Sequence, residues 1–172
     1  MSPFRVLALI ATSMAVAAPV GSVAAGPCWP PPVDAPVVDP FREPECRWCP
    51  GNRGLEYGTA PGVRVAAVAT GRVTFAGSIA GIVYVVIRHA DGLRATYGNL
   101  RSSDHDVGDL VARGAVVGRA AGRVHFGLRD GDRYLDPARR LGRLVHRARL
   151  VPVDGRPGNP SPPPRLRCDA RA

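Results

Sequence analysis

Apolar and polar residues alternate with a period of two through most of the middle of the chain, the periodicity of strands with one buried face. Val63 to Ala69, a Thr70-Gly71 turn and Arg72 to Ala76 read as a strand pair, the second strand setting Val73 and Phe75 against Arg72 and Thr74. Ile82 to Ile87 is a continuous β-branched apolar run, the pattern of a strand buried on both faces, and is expected at the centre of the sheet. His89-Ala90-Asp91-Gly92 carries an Asp-Gly turn signal, so Leu93 to Tyr97 is predicted to return as its hairpin partner. Gly108, Gly114 and Gly118 punctuate two further short strands around Val111 and Val116. Arg123 to Arg129 is predicted as a separate strand, with Val124, Phe126 and Leu128 on one face and Arg123, His125 and Gly127 on the other. After Asp136-Pro137 a short helix over Ala138 to Leu144 would close the domain. Short strands between glycine turns, with hardly any helix, predict an all-β fold.

The flanks read differently. Met1 to Gly26 has Arg5, an apolar run from Val6 to Val20 and small residues at Ser22, Ala24 and Ala25, which is the layout of a secretory signal. A retained anchor is the rival reading, but the run is shorter than the roughly 20 residues of a spanning helix and is broken by Pro19 and Gly21. Trp29 to Pro50 is proline-rich, with apolar residues at Val33 to Val38 and at Phe41, and reads as an extended strand followed by an irregular loop. From Val153 onward proline, glycine and arginine dominate, which predicts a tail. The expected division is a signal peptide over 1–25, a lead-in segment with a cysteine loop over 26–50, a domain over 51–144 and a tail over 145–172.

Export accounts for Cys28, Cys46, Cys49 and Cys168, an even set that favours disulfides, for which three connectivities exist. Cys46-Arg47-Trp48-Cys49 also has the spacing of a redox dithiol or half a zinc knuckle, but it lacks a strand-to-helix setting and there is no second such pair. Two bridges, Cys46 to Cys49 and Cys28 to Cys168, are the expected arrangement. The net charge of +9 comes from 23 basic residues, all of them arginine. On an exported protein such a surface meets anionic cell-wall polymers, headgroups or acidic peptides before nucleic acid, although arginine bias also follows from coding composition.

The polar residues that could carry chemistry lie in two distant pieces: Asn52 and Glu56 in Gly51 to Tyr57, and Arg123 and His125 in the later strand. The first piece, Asn52-Arg53-Gly54-Leu55-Glu56, resembles the His-x-x-x-Asp ligand segment of the lysostaphin/LytM-type zinc endopeptidases, which cut peptide cross-links in peptidoglycan. Ala60-Pro61-Gly62 with Ala66 to Gly77, His89 to Leu100, Val107 to Gly118 and Val124 to Pro137 resemble further segments of that family, in the same order. The resemblance runs from about Trp29 to Leu144 and implies an open antiparallel β-sandwich with one short C-terminal helix. Lipoyl and biotinyl carrier domains share the glycine-punctuated pattern but need a lysine, and this chain has none.

By the same resemblance the zinc ligands would fall at Asn52, Glu56 and His125, and the two assisting residues at Asn99 and Arg123. Only His125 keeps the family's residue type. A carboxamide at Asn52 is a poor zinc donor, and the guanidinium of Arg123 stays protonated where the family places a dication. Asn99 can donate to an oxyanion but cannot shuttle a proton. An ion pair of Arg123 with Glu56 across the vacated site is therefore expected, with no metal cofactor; zinc would be the cofactor only of a functioning variant site. His89 is expected to serve its turn, and His105 and His146 to lie on the surface. The near absence of a loop between Gly118 and Val124 departs from the family's groove.

These readings predict a secreted, cell-envelope protein without catalysis that binds peptidoglycan or a cell-wall protein, with no nucleic-acid partner and no membrane span once the signal is removed. The alternatives are an active metal-dependent endopeptidase using Asn52, Glu56 and His125, and an envelope scaffold.

Overall fold

The longest element among the described residues is the 15-residue strand Val116–Asp130, and it hydrogen-bonds along both of its edges. The structure, a computed structural model, describes residues 28–46, 48–145 and 164–168. In chain order the elements are β1 (Val37–Asp39), β2 (Gly54–Gly58), β3 (Arg64–Ala66), β4 (Gly71–Ile79), β5 (Ile82–His89), β6 (Arg94–Ser103), β7 (Leu110–Val111), β8 (Val116–Asp130), β9 (Arg133–Leu135), α1 (Ala138–Leu141), β10 (Arg143–Val145) and β11 (Arg165–Arg167). The main sheet runs β1-β2-β8-β6-β5-β4-β7, all neighbours antiparallel, and β3 and β9 also pair with β8. The all-β class and the single short helix agree with the sequence reading.

One edge of β8 pairs with β6 from Gly118 to Arg129. Along the other edge β3, β2 and β9 follow one another, at Val116 to Arg119, Arg123 to Gly127 and Leu128 to Asp130. This overturns the expectation of two strands separated by a short gap. A ladder that satisfies backbone groups on both sides gives the chain no reason to leave the sheet. Gly118 is needed where the backbones crowd, since a Cβ there would lie 2.2 Å from the Ser102 carbonyl oxygen.

Val124, Phe126 and Leu128 turn inward as the alternation predicts and are fully buried with Leu55 and Tyr57 of β2 and Ala95 and Tyr97 of β6. The Tyr97 hydroxyl accepts a 3.0 Å hydrogen bond from the Val68 amide, and its ring packs 5.3 Å from that of Phe126. Burial pushes the phenols of both Tyr57 and Tyr97 well above their ordinary pKa. Strand β5 corrects a second expectation. Val85 and Ile87 are buried, but Tyr84 and Val86 are only half-buried on the other face; β5 is interior, between β4 and β6, and β6 is the middle strand of the sheet order. An antiparallel sheet leaves one face uncovered, and here that face is apolar along β5.

His89 ends β5 and its backbone closes the predicted turn, with the Gly92 amide donating to the His89 carbonyl. Its side chain is nonetheless buried: Nδ1 donates to the Thr70 carbonyl at 3.0 Å and the ring lies 4.9 Å from Trp29. His105 is half-buried, with Nε2 hydrogen-bonded to the Val116 carbonyl at 2.9 Å. His146 and the expected signal peptide lie outside the described residues. No helix among the described residues is long and apolar enough to cross a membrane.

The helix α1 stops at Leu141, sooner than expected, because Gly142 takes φ 95° and the chain enters β10. β10 pairs with β11, whose Leu166 is 3% exposed in the core, and Cys168 bonds to Cys28. Residues 164–168 are thus packed against the domain, where the sequence predicts a tail held only through Cys168. The second disulfide joins Cys46 to Cys49.

Leu166→Ala should lower unfolding stability by about 2–5 kcal/mol, the range for a leucine truncated in a core; a urea melt reads this, and an unshifted midpoint would mean that β11 does not dock. Stability should also fall as pH rises above about 10, because the unfolded chain then releases tyrosine protons that the folded chain retains at Tyr57 and Tyr97. A urea midpoint that stays level through that range would contradict the burial.

Candidate functional site

The outward residues of β8 alternate with its core residues, so His125, Gly127 and Arg129 share the uncovered face. Glu56 of β2 lies directly opposite His125, and Gly98 of β6 flanks it on the other side. His125 Nδ1 and Glu56 Oε1 are 2.6 Å apart, and their side chains are only 21% and 14% exposed. Three glycines make room for this imidazole. A Cβ on Gly54 would meet His125 Cε1 at 2.7 Å, one on Gly127 would meet Nε2 at 3.2 Å, and one on Gly98 would meet His125 Cβ at 3.3 Å.

Above this floor runs a groove of about 650 Å³. Phe75, Ile79, Ile82, Tyr84 and Val86 of the β4–β5 hairpin form its apolar wall, and Ile79 and Ile82 at the tip are exposed. The facing side is polar, with Arg53, Glu56, His125, Arg129 and Tyr134. Arg53 sits in the bend before β2, while Arg129 and Tyr134 are register partners across β8 and β9. Both guanidiniums approach the Tyr134 ring, at 5.4 Å for Arg53 and 4.9 Å for Arg129.

Of the residues singled out in the sequence, the structure brings together Glu56, His125 and Asn99. Asn99 lines the groove from a bulge in β6, in the left-handed region at φ 57°, a conformation that asparagine tolerates. Asn52 is not in the groove. It is 8% exposed, its Nδ2 donates to the carbonyls of Pro40 at 3.0 Å and Asp39 at 3.3 Å, and its Oδ1 accepts from the Gly54 amide at 3.3 Å. The carboxamide ties the loop after β1 to the start of β2, a task that suits a group with both donors and an acceptor.

The expected Arg123–Glu56 ion pair does not form. Arg123 is exposed opposite Gly58, and among the described residues the Glu56 carboxylate pairs with His125. The shorter path explains the difference: His125 already lies across the ladder from Glu56, two residues further into the strand than Arg123. The charge of Arg123 acts instead on Asp39, whose carboxyl is held below its ordinary value first by the hydrogen bond from Arg42 and only in small part by Arg123.

The donor set does not fit a catalytic zinc, which takes three protein ligands and leaves an open position. His125 Nδ1 and Glu56 Oε1 are turned on each other, Asn52 is engaged with backbone, and no group of three histidine, cysteine or acidic residues among the described residues could hold a metal ion. Glu56 Oε2 is buried without a hydrogen-bond partner among the described residues, and one such oxygen beside one imidazole nitrogen is two donors, not three.

Sequence reasoning missed Arg53, Tyr84, Arg129 and Tyr134. Arg129 was within reach, since carrying the alternation of His125 and Gly127 two residues further places it on the same face. Tyr134 reaches the groove only through the β8–β9 pairing, which the local pattern does not reveal.

Residues 50–137 match the family model of Peptidase family M23. An uncharacterized protein of Mycobacterium tuberculosis is 32% identical over 143 residues, covering 76% of this chain and 56% of the relative. An uncharacterized protein of Mycobacterium bovis matches to the same extent, so the chain spans little more than half the length of the curated relatives it matches. Among solved structures, Helicobacter pylori Csd3 is similar with 27% identity and a TM-score of 0.60, over 68% of this chain and 34% of that one. A point variant of the catalytic domain of the prophage-encoded M23 protein EnpA from Enterococcus faecalis is 25% identical with a TM-score of 0.53, over 63% of this chain and 95% of that one.

The structural role of Asn52 gives an expected order of stabilities. Asn52→Ala leaves the buried Gly54 amide without its acceptor and the carbonyls of Asp39 and Pro40 without their donor, and should cost about 1–3 kcal/mol, whereas the exposed Arg123→Ala should stay within about 0.5 kcal/mol of the parent. Equal urea midpoints for the two variants would contradict the assignment.

Proposed function

Because this chain belongs to peptidase family M23, we propose that it is a non-catalytic member of the cell envelope that binds peptidoglycan peptides in the groove above β8. The observation that carries this reading is the 2.6 Å closure of Glu56 on His125 together with the engagement of Asn52 by backbone. The residues at the family's metal positions satisfy one another or the main chain, while the groove beside them stays open. What this site can do with a peptide is hold it: the apolar hairpin wall covers side chains, and Asn99, Thr96 and the arginines offer hydrogen bonds along the opposite side.

Export supports the same reading. Two disulfides are formed, which suits an oxidising compartment, and the arginine surplus favours an anionic wall polymer. The family's assisting positions supply no acid–base pair here, since Asn99 cannot transfer a proton and Arg123 is exposed and does not line the groove. The Glu56–His125 pair holds the floor of the groove in place.

The chain purified from residue 26 should sediment with isolated cell walls equally well with and without chelator, and should release no muropeptides when zinc is added. Chelator-sensitive release of muropeptides would make it an active endopeptidase and overturn the proposal, as would failure to sediment.

A further inference from the structure

Resting on the reading that this groove holds a peptide, we propose that Arg53, Arg129 and Tyr134 form a receptor for the C-terminal carboxylate of that peptide. The three residues lie where the groove meets a second cavity of about 470 Å³, and each of them lines both. Both guanidiniums lie near one phenol ring, at 5.4 and 4.9 Å from its centre, and so border the same end of the groove. A planar carboxylate matches the fork of guanidinium donors.

The scaffold is suited to this use. Arg129 and Tyr134 face each other across paired strands, which sets the platform by backbone register rather than by a loop. Arg129 already bonds to Asp132 at 3.0 Å, but that aspartate is fully exposed, and an exposed pair of this kind is a weak competitor.

The position also sets a length. Arg129 lies four residues beyond His125 on one face of β8, which is about 13 Å along a strand. Gly127 between them has no side chain to obstruct an extended ligand. A peptide anchored by its carboxylate at Arg129 would therefore run back about four residues to reach the Glu56–His125 pair.

The test compares an N-acetylated tetrapeptide ending in Ala-Ala as its free acid and as its C-terminal amide, titrated into the purified chain by calorimetry. The acid should bind about tenfold more tightly than the amide, the expected size of a charge-assisted contact at a partly exposed site. Arg53→Gln and Arg129→Gln should each bring the acid down toward the amide and leave the amide unchanged, with circular dichroism spectra that match the parent. Arg129→Lys should keep part of the preference. Equal binding of acid and amide, or a preference that survives both glutamine variants, would overturn the proposal. Inorganic phosphate binding as tightly as the acid would overturn it in favour of a general anion site. Cell-wall retention without an acid preference removes this receptor and leaves the peptide-binding function; an acid preference without retention does the reverse.

Discussion

Strand β8 is the constraint from which the rest of the domain follows. Its inner edge is paired to β6 over most of its length, and its outer edge is divided among β3, β2 and β9, so the backbone of one strand fixes the position of four others. Because side chains alternate along a strand, the same register sends Val124, Phe126 and Leu128 into the core and His125, Gly127 and Arg129 to the open face. A slip of one residue would exchange the two sets. The buried aromatic and aliphatic contacts therefore hold the site in register, and the site cannot move without the core.

The chemistry of the open face is settled by competition for hydrogen-bonding groups. Asn52 stands at a position where the family resemblance expects a metal ligand, but its carboxamide is taken up by two carbonyls and an amide of its own surroundings. Glu56 has the choice of an exposed arginine or of the imidazole across the ladder, and the half-buried imidazole wins because it is already in place and costs no further ordering. Arg123 is then left to solvent and to the weak field of Asp39. The family's fold is kept, while the side chains at the positions where the resemblance expects zinc ligands bond to one another or to the main chain.

The groove is two-sided for the same topological reason. The β4–β5 hairpin ends in the exposed Ile79 and Ile82, with Ala80 and Gly81 in left-handed conformations at the turn. The outer edge of β8 brings Arg53 and Tyr134 to the opposite side from two separate parts of the chain. An apolar wall facing a cationic one is suited to an extended peptide with apolar side chains and an anionic end.

The sequence by itself determined the strand class, the faces of the Arg123 to Arg129 segment and the two segments that meet at the site, because all of these follow from local periodicity, from residue chemistry or from motif order. It did not reveal that β8 is continuous, that the open face of β5 is a groove wall rather than a second core, or that residues 165–167 return to the core. Those depend on which edges find partners, and strand pairing is a non-local property. The partner of Glu56 was beyond the sequence for the same reason. Arg123 and His125 lie on one face of one strand and read equally well as its partner, and only the register of β2 against β8, fixed by Leu55 and Tyr57 packing beside Val124 and Phe126, brings the imidazole within 2.6 Å of the carboxylate and leaves the guanidinium outside.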